Sequence, residues 1–166
     1  KGSTTAMTAS ILKNAGYKTG MFISPQLSCY NERIQINGEY IPNEKLADLA
    51  TYIKDKIQVM LDEGYEHPTG FEVCTALAIL YFYREKVDVV VLEVGLGGAI
   101  DSTNIITPLV SAITNVSMDH MDYLGETIRE IAEVKSGIIK KGIPCITAAE
   151  EEDALEVIER VAAENN

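Results

Sequence analysis

Cysteine is scarce in this 166-residue chain: its three cysteines stand far apart, and no Cys-x-x-Cys pair occurs. That spacing argues against a structural zinc site or a disulfide framework. It suits a reducing compartment, so we expect a cytoplasmic protein. Long apolar runs are also missing, since none approaches the length of a membrane span and no signal peptide is visible. The chain does not begin with Met, so we expect that its first residue is not the native N-terminus.

Positive charge is sparse relative to negative charge. The 14 Lys and Arg residues are outnumbered by 25 Asp and Glu residues, which gives a formal net charge of −11. A nucleic-acid-binding or anionic-membrane-binding surface needs a basic face, so we expect neither partner. A negative net charge still allows a local basic pocket, or a carboxylate site that is neutralised by a metal. A length of 166 residues suffices for one domain with a core.

Predicted strands and helices alternate along the chain. Helical spacing predicts helices over residues 4–15, 43–63, 71–85, 127–139 and 151–164, with Asn43 as the cap of the second. Apolar runs predict strands over 17–24, 87–95, 109–116 and 143–148, the run at 87–95 covered on both faces. This alternation indicates an α/β fold with a doubly wound, mostly parallel sheet and helices on both faces. Asn37-Gly38 between alternating apolar residues predicts a small inserted hairpin over 33–41.

The ends of the predicted strands locate the candidate site. In doubly wound sheets, ligands bind beyond the carboxyl ends of the parallel strands. The residues that follow the predicted strands are Ser24, Glu93 and the stretch 115–120. These positions are therefore the first candidates for a ligand-binding site.

The first four residues, Lys1, Gly2, Ser3 and Thr4, match the end of a phosphate-binding loop. In a complete loop, backbone N–H groups surround the phosphates at a helix N-terminus, the Lys reaches the terminal phosphates and the Ser or Thr reaches magnesium. The same four residues also suit a plain loop and helix cap. The pattern alone leaves both interpretations open.

Glu93 interrupts the apolar run "VVVLEVG". A buried carboxylate is costly unless it is paired or bound to a cation. Magnesium prefers carboxylate oxygens together with phosphates, so a Glu opposite a phosphate loop is the expected arrangement. A buried salt bridge to Lys or Arg is the alternative. The glycines of "GLGG" that follow allow a close backbone approach to a ligand, or form a flexible turn.

Two further residues have chemistry that depends on their surroundings. His120 stands between Asp119 and Asp122 after a predicted strand, where it is either a metal ligand or an ordinary surface or core residue. Lys135 has apolar neighbours at helical spacing. It either extends its ammonium group to solvent or is partly buried and reacts as a free amine.

Several motifs together carry a family resemblance. They are "KGSTTAMTASILKNAGYKTGMFISPQL", "FEVCTALAILYF", "VVLEVGLGGAIDSTNII" and "ITNVSMDHMDYLGETIREIAEVKSGIIK". In this order, over residues 1 to about 147, they resemble the folylpolyglutamate synthase and dihydrofolate synthase family of the Mur ligase superfamily. The resemblance implies a P-loop NTPase-like central ATP-binding domain over residues 1–166. The family's loop reads Gly-Thr-Asn-Gly-Lys-Gly-Ser/Thr, so we expect that the first strand, the first half of the loop and a C-terminal ligase domain are missing.

The resemblance also implies roles for individual residues. The ATP phosphates would contact Lys1, Gly2, Ser3 and Thr4. Magnesium and a second metal would be held by Ser3, Ser24, Glu93, His120 and Lys135, the last as a carbamate formed with carbon dioxide. The catalytic residues would be Lys1, His120 and Lys135. The pterin substrate would contact Thr69, Gly70, Phe71, Glu72, Ile100, Asp101 and Ser102.

The implied reaction is the ATP- and Mg²⁺-dependent addition of L-glutamate to a folate or dihydropteroate carboxylate by a monomeric enzyme. A Mur ligase that acts on a peptidoglycan precursor would share the fold and the ATP site. The truncated chain could also be a non-catalytic nucleotide-binding module, and we expect it to be inactive alone. Gln26 replaces a family His and Ala99 a family Arg. Loss of a guanidinium removes a bidentate anion contact, so these departures bear on the substrate more than on the nucleotide.

Overall fold

A computed structural model describes residues 1–118 and 124–166, which divide into two units, Lys1–Glu93 and Val94–Asn166. The predicted ligand His120 lies outside the described residues, as do Asp119 and Asp122. Both units combine helices with strands, so the predicted α/β class is confirmed. No helix within the described ranges is both long and apolar enough to cross a membrane.

The first unit contains all the elements up to Glu93. Its helices are α1 (Gly2–Asn14), α2 (Asn43–Asp62) and α3 (Gly70–Arg84). Its strands are β1 (Thr19–Phe22), β2 (Ile34–Ile36), β3 (Glu39–Tyr40) and β4 (Val89–Leu92), and a 3-10 turn, Tyr30–Arg33, precedes β2. The helix bounds lie within two residues of the predicted ones, whereas the strands are shorter than the apolar runs that predict them.

The strands of the first unit form one mixed sheet in the order β3-β2-β1-β4. β1 runs parallel to β4 and antiparallel to β2, which pairs antiparallel with β3. Asn37 and Gly38 between β2 and β3 have φ values of 52° and 84°. Positive φ at both central residues is the requirement of a tight type I′ turn, so the inserted hairpin is confirmed.

Helices cover both faces of β1. Thr19 and Met21 line a small cavity together with Ala6 and Ala9 of α1. Gly20 faces α3 instead, because a Cβ built on it would lie 2.8 Å from the Phe82 Cδ1 atom. Alternate residues of a strand point to opposite sides of the sheet, so α1 and α3 lie on opposite faces of β1.

The core of the first unit lies between the sheet and helices α2 and α3. Phe22, Ile34, Cys74 and Ala78 are completely buried there. One local prediction was wrong. The cap residue of α2 is Pro42, and Asn43 is the first residue of the helix, where its side chain accepts a hydrogen bond from the amide of Asn31. β4 is half-buried along its length and contacts both this core and α1.

The contact between Gly20 and Phe82 leads to a stability prediction. Gly20→Ala should lower the free energy of unfolding by about 1–3 kcal/mol, since the new methyl group has no room beside a buried ring. Gly70→Ala is the matched control, because a Cβ there meets no atom within 4 Å. Denaturant unfolding of both variants checks this. Equal stability of the two variants would show that the Phe82 ring accommodates the methyl group.

The second unit combines two helices and two strands among its described residues. They are β5 (Ser111–Ile113), α4 (Ile128–Ser136), β6 (Cys145–Thr147) and α5 (Glu152–Glu164), with a 3-10 turn over Ser102–Ile105. β5 and β6 pair in parallel, which is the predicted pairing of strands joined by a helix. Helices α4 and α5 pack through buried residues such as Ile131 and Ala154. Arg129 also forms ion pairs with Asp153 and Glu156 across the two helices.

Candidate functional site

Glu93 is a buried carboxylate immediately after β4. Its backbone N–H donates to the Phe22 carbonyl oxygen at 2.9 Å and so continues the parallel ladder. The residue is 6% exposed, and its Oε2 accepts a hydrogen bond from the Ser24 backbone N–H at 3.1 Å. The ion pairs formed within residues 1–118 and 124–166 do not include Glu93. Within these ranges, the Glu93 carboxylate is therefore stabilised by the Ser24 backbone N–H and not by a salt bridge to Lys or Arg.

The Glu93 carboxylate lies beside the first turn of α1. A Cβ built on Gly2 would be 3.9 Å and 4.0 Å from its two carboxylate oxygens. Lys1 is the cap residue of this helix, and its carbonyl oxygen accepts hydrogen bonds from the Thr5 backbone N–H and hydroxyl. The N–H groups in the first turn of a helix lack intrahelical partners and attract anions. The structure thus places the first turn of α1 and a buried carboxylate next to each other.

The oxygen donors near α1 suit magnesium bound together with a phosphate ligand. Ser3 follows Gly2 in the first turn of α1, and Ser24 follows β1. Hydroxyl and carboxylate oxygens are hard ligands, and protein sites for Mg²⁺ often provide only one or two carboxylates while substrate phosphates supply the rest. In the part of the chain that the structure describes, no cluster of three or more His, Cys, Asp or Glu side chains could hold a metal ion. Among the described residues, the donor set therefore fits a magnesium–nucleotide complex.

The loop that begins at Ser24 is fixed at its far end by Glu32. The Glu32 carboxylate accepts hydrogen bonds from the backbone N–H groups of Leu27, Ser28 and Cys29 at 2.7, 3.0 and 3.0 Å. The N–H groups of Leu27 and Cys29 hold the pKa of Glu32 below its ordinary value of 4.5. The sequence "NERIQI" does not distinguish this Glu from a surface residue, so its role became visible only in the structure.

Gln26 has a partner inside the same loop. Its Oε1 accepts a hydrogen bond from Arg33 Nε at 2.5 Å, and the Arg33 guanidinium lies 5.4 Å from the centre of the Tyr30 ring. The amide of Gln26 therefore contributes to the structure of the loop itself.

The Glu32 contacts predict a pH-dependent change in stability. Glu32→Gln should lower the melting temperature by a few degrees at neutral pH, because an amide NH₂ cannot accept the loop N–H bonds. A lowered pKa in the folded state means that the carboxylate stabilises the fold above pH 4.5 and loses this effect as the pH falls below it. The melting temperatures of wild type and variant should therefore converge in acid. Glu66→Gln, an exposed loop change, is the control. A difference that does not depend on pH would contradict the assignment.

The predicted substrate stretch at residues 69–72 forms the start of α3. The Thr69 hydroxyl accepts from the Glu72 N–H, and the Glu72 carboxylate accepts from the Thr69 N–H at 2.7 Å. Hydrogen bonds from the Thr69 backbone and hydroxyl lower the pKa of Glu72. Phe71 packs inward with its ring centre 5.9 Å from that of Phe22. This capping box follows the Thr-x-x-Glu pattern in the sequence. The contact of residues 69–72 with a pterin stays a prediction.

The second predicted substrate stretch, residues 100–102, belongs to a closed loop in the second unit. The Asp101 carboxylate accepts hydrogen bonds from the Leu96 N–H at 2.8 Å and the Thr103 N–H at 3.0 Å. Ile100 is 94% exposed, although its neighbours are anchored. Ser102 begins the 3-10 turn. An exposed apolar side chain on a fixed backbone is available for a ligand contact, which stays a prediction.

Lys135 lies in the last turn of α4 and is half-buried. The next residue, Ser136, is 1% exposed, and its hydroxyl has no hydrogen-bond partner among the described residues. The predicted convergence of Lys135 with His120 involves a residue outside the described ranges and stays a prediction.

Fold and site together define an α/β domain of the phosphate-loop class. A family model, the Mur ligase middle domain, matches residues 1–165, and the chain belongs to this family.

The chain is also similar, in sequence and in structure, to individual folylpolyglutamate synthases. The chain is 47% identical over 163 residues to a dihydrofolate synthase/folylpolyglutamate synthase of Bacillus subtilis, a match that covers 98% of this chain and 38% of the relative. Its structure resembles folylpolyglutamate synthase from Thermotoga maritima with a TM-score of 0.90 and 42% identity, covering 99% and 38% of the two chains. A complex of FPGS with AMPPCP and folate gives a TM-score of 0.95 and 41% identity, with coverage of 99% and 40%. The chain thus spans about two-fifths of these proteins.

Proposed function

We propose that residues 1–166 are the central ATP-binding domain of a ligase that adds L-glutamate to the carboxylate of folate or dihydropteroate. The observation that carries the proposal is the buried Glu93 carboxylate, held by the Ser24 N–H beside the first turn of α1. It is supported by the names of the relatives and by the FPGS complex with AMPPCP, an ATP analogue, and folate.

The residues around α1 would bind a magnesium–ATP complex. Lys1, Gly2, Ser3 and Thr4 would contact the phosphates, through the free N–H groups of the first helical turn and the Lys1 ammonium. Glu93, Ser3 and Ser24 would hold magnesium, which when bound offsets negative charge on the phosphates and on the transferred group. The hydrogen bond from the Ser24 backbone N–H to Glu93 Oε2 would hold the carboxylate in place before the ligand binds.

The chemistry would proceed in two steps. The substrate carboxylate attacks the γ-phosphate of ATP, which gives an acyl phosphate and ADP. The amino group of glutamate then attacks the acyl carbon, and phosphate leaves. A free carboxylate is a poor acylating agent, so phosphorylation supplies the leaving group. The protein contributes mostly by positioning these groups and neutralising their charge.

The remaining proposed roles concern Lys135, His120 and the two pterin-contacting stretches. Lys135, as a carbamate, and His120 would hold a second metal. Residues 69–72 and 100–102 would contact the pterin end of the substrate. The half-burial of Lys135 and the anchored backbone around Asp101 are compatible with these roles.

A turnover assay on the full-length protein tests the proposed function. ADP release should require both L-glutamate and a pteroate substrate, dihydropteroate or a folate. ADP release with a peptidoglycan precursor and its amino acid would support the rival Mur ligase activity. Nucleotide binding without turnover on either substrate would instead support a binding module.

A further inference from the structure

The Asn104 side chain joins two segments of the second unit that both carry proposed site residues. Its Nδ2 donates to the Ala99 carbonyl oxygen at 3.1 Å and to the Gly137 carbonyl oxygen at 3.0 Å. Its backbone carbonyl oxygen accepts from Lys140 Nζ at 3.1 Å. One residue of the 3-10 turn thus contacts the glycine-rich loop (residues 95–99), the end of α4 and the segment that follows α4.

The glycine-rich loop and α4 meet backbone to backbone. A Cβ on Gly98 would lie 2.8 Å from the Lys135 carbonyl oxygen, and a Cβ on Gly137 would lie 2.3 Å from the Ala99 Cβ. The Ala99 N–H donates to the Val134 carbonyl oxygen at 2.9 Å. The last carbonyl groups of a helix lack intrahelical partners, so the loop and the Asn104 amide supply donors for the end of α4.

Each of the two hydrogen bonds made by the Asn104 amide lies close in sequence to residues with a proposed role in the site. Ala99 directly precedes the stretch 100–102, and Gly137 lies two residues after Lys135. We propose that Asn104 is a positioning residue, which holds the 100–102 stretch at a fixed distance from the end of α4 that carries Lys135. This proposal rests on the proposed function, because the roles of the stretch and of Lys135 come from it.

The chemistry of the site requires an amide. Both groups opposite the side chain are carbonyl oxygens, and an Asn NH₂ group offers one hydrogen to each. Asp has nearly the same shape but would place a carboxylate oxygen against two carbonyl oxygens. Ala would leave both carbonyls without this donor. Asn104→Asp should therefore separate the segments more than Asn104→Ala does.

The test uses the full-length enzyme with Asn104→Ala, Asn104→Asp and the control Asn165→Ala. Asn165 also donates its amide to a backbone carbonyl, that of Val161 at 2.9 Å, but at the end of α5. The Asn104 variants should raise KM for the pterin substrate about tenfold or more. Their KM for ATP should stay within about twofold of the wild-type value. For the control Asn165→Ala, KM for the pterin and KM for ATP should both stay within the same range. Hydrogen exchange should rise over residues 97–102 and 134–138 in the Asn104 variants alone.

Three results are distinguishable. If the Asn104 variants lose only thermal stability and keep the wild-type KM for the pterin, Asn104 is structural and the proposal is overturned. If hydrogen exchange over the two segments is unchanged, the proposed coupling does not exist. If wild type shows no glutamate-dependent turnover, the proposed function itself fails, and the reaction role of Asn104 fails with it.

Discussion

Glu93→Gln in the full-length protein should lower magnesium-dependent turnover by about two to three orders of magnitude, while the domain stays folded. Gln has the same shape, and its carbonyl oxygen can still accept the hydrogen bond that Glu93 receives from the Ser24 N–H. What the variant lacks is the negative charge beside the first turn of α1. The loss should therefore fall on metal binding and on the phosphoryl-transfer step.

Turnover measured across a range of Mg²⁺ concentrations, together with a melting curve, separates these effects. Glu130→Gln is a suitable control, because this carboxylate caps α4, where the backbone N–H of Glu126 lowers its pKa. The control removes the negative charge of another carboxylate that accepts hydrogen bonds from backbone N–H groups. Near-normal turnover of Glu93→Gln at low Mg²⁺ would remove Glu93 from the metal site.

Lys135→Ala should abolish turnover, with a loss of at least about a thousandfold. A neutral Lys amine can add carbon dioxide and release a proton, which converts the residue into a carbamate anion able to bind a metal. Lys135 is half-buried at the end of α4, on a backbone held by the glycine-rich loop. Ala keeps the helix but removes every atom of the proposed ligand.

A small carboxylate can test this explanation directly. Acetate or formate should restore part of the turnover of Lys135→Ala, because either anion can replace the missing carbamate oxygens. Lys141→Ala, which removes an exposed ammonium six residues away, should be nearly neutral. Full activity of Lys135→Ala without added carboxylate would exclude a catalytic role for this lysine.

The secondary structure was largely predictable because its signals are local. Helical spacing located α2 and α5 to within about one residue, and Asn37-Gly38 fixed the hairpin, since few residue pairs adopt positive φ at two successive positions. Glu93 also stood out locally, as a charge inside an apolar run. The structure confirmed that it is buried and placed it beside the first turn of α1.

Other features could not be predicted because they depend on contacts between distant segments. Glu32 binds three N–H groups only because its loop folds back on itself, and Asn104 reaches Gly137 across 33 residues of sequence. The prediction that Asn43 caps α2 was wrong for a related reason. Pro42 already provides the extended residue before α2, and the Asn43 side chain accepts a hydrogen bond from Asn31. Side chains that hold loops in place have no periodic pattern by which a sequence could reveal them.

The proposed acyl-phosphate step is tested most directly by following one oxygen atom of the substrate carboxylate. The full-length protein is given a substrate whose reacting carboxylate is labelled with ¹⁸O, together with ATP, Mg²⁺ and L-glutamate. If the carboxylate attacks the γ-phosphate, one labelled oxygen must leave with the phosphate when glutamate displaces it. We predict one ¹⁸O in each phosphate released. Amide product accompanied by unlabelled phosphate would contradict the acyl-phosphate route, and with it the role assigned to Glu93 and the first turn of α1.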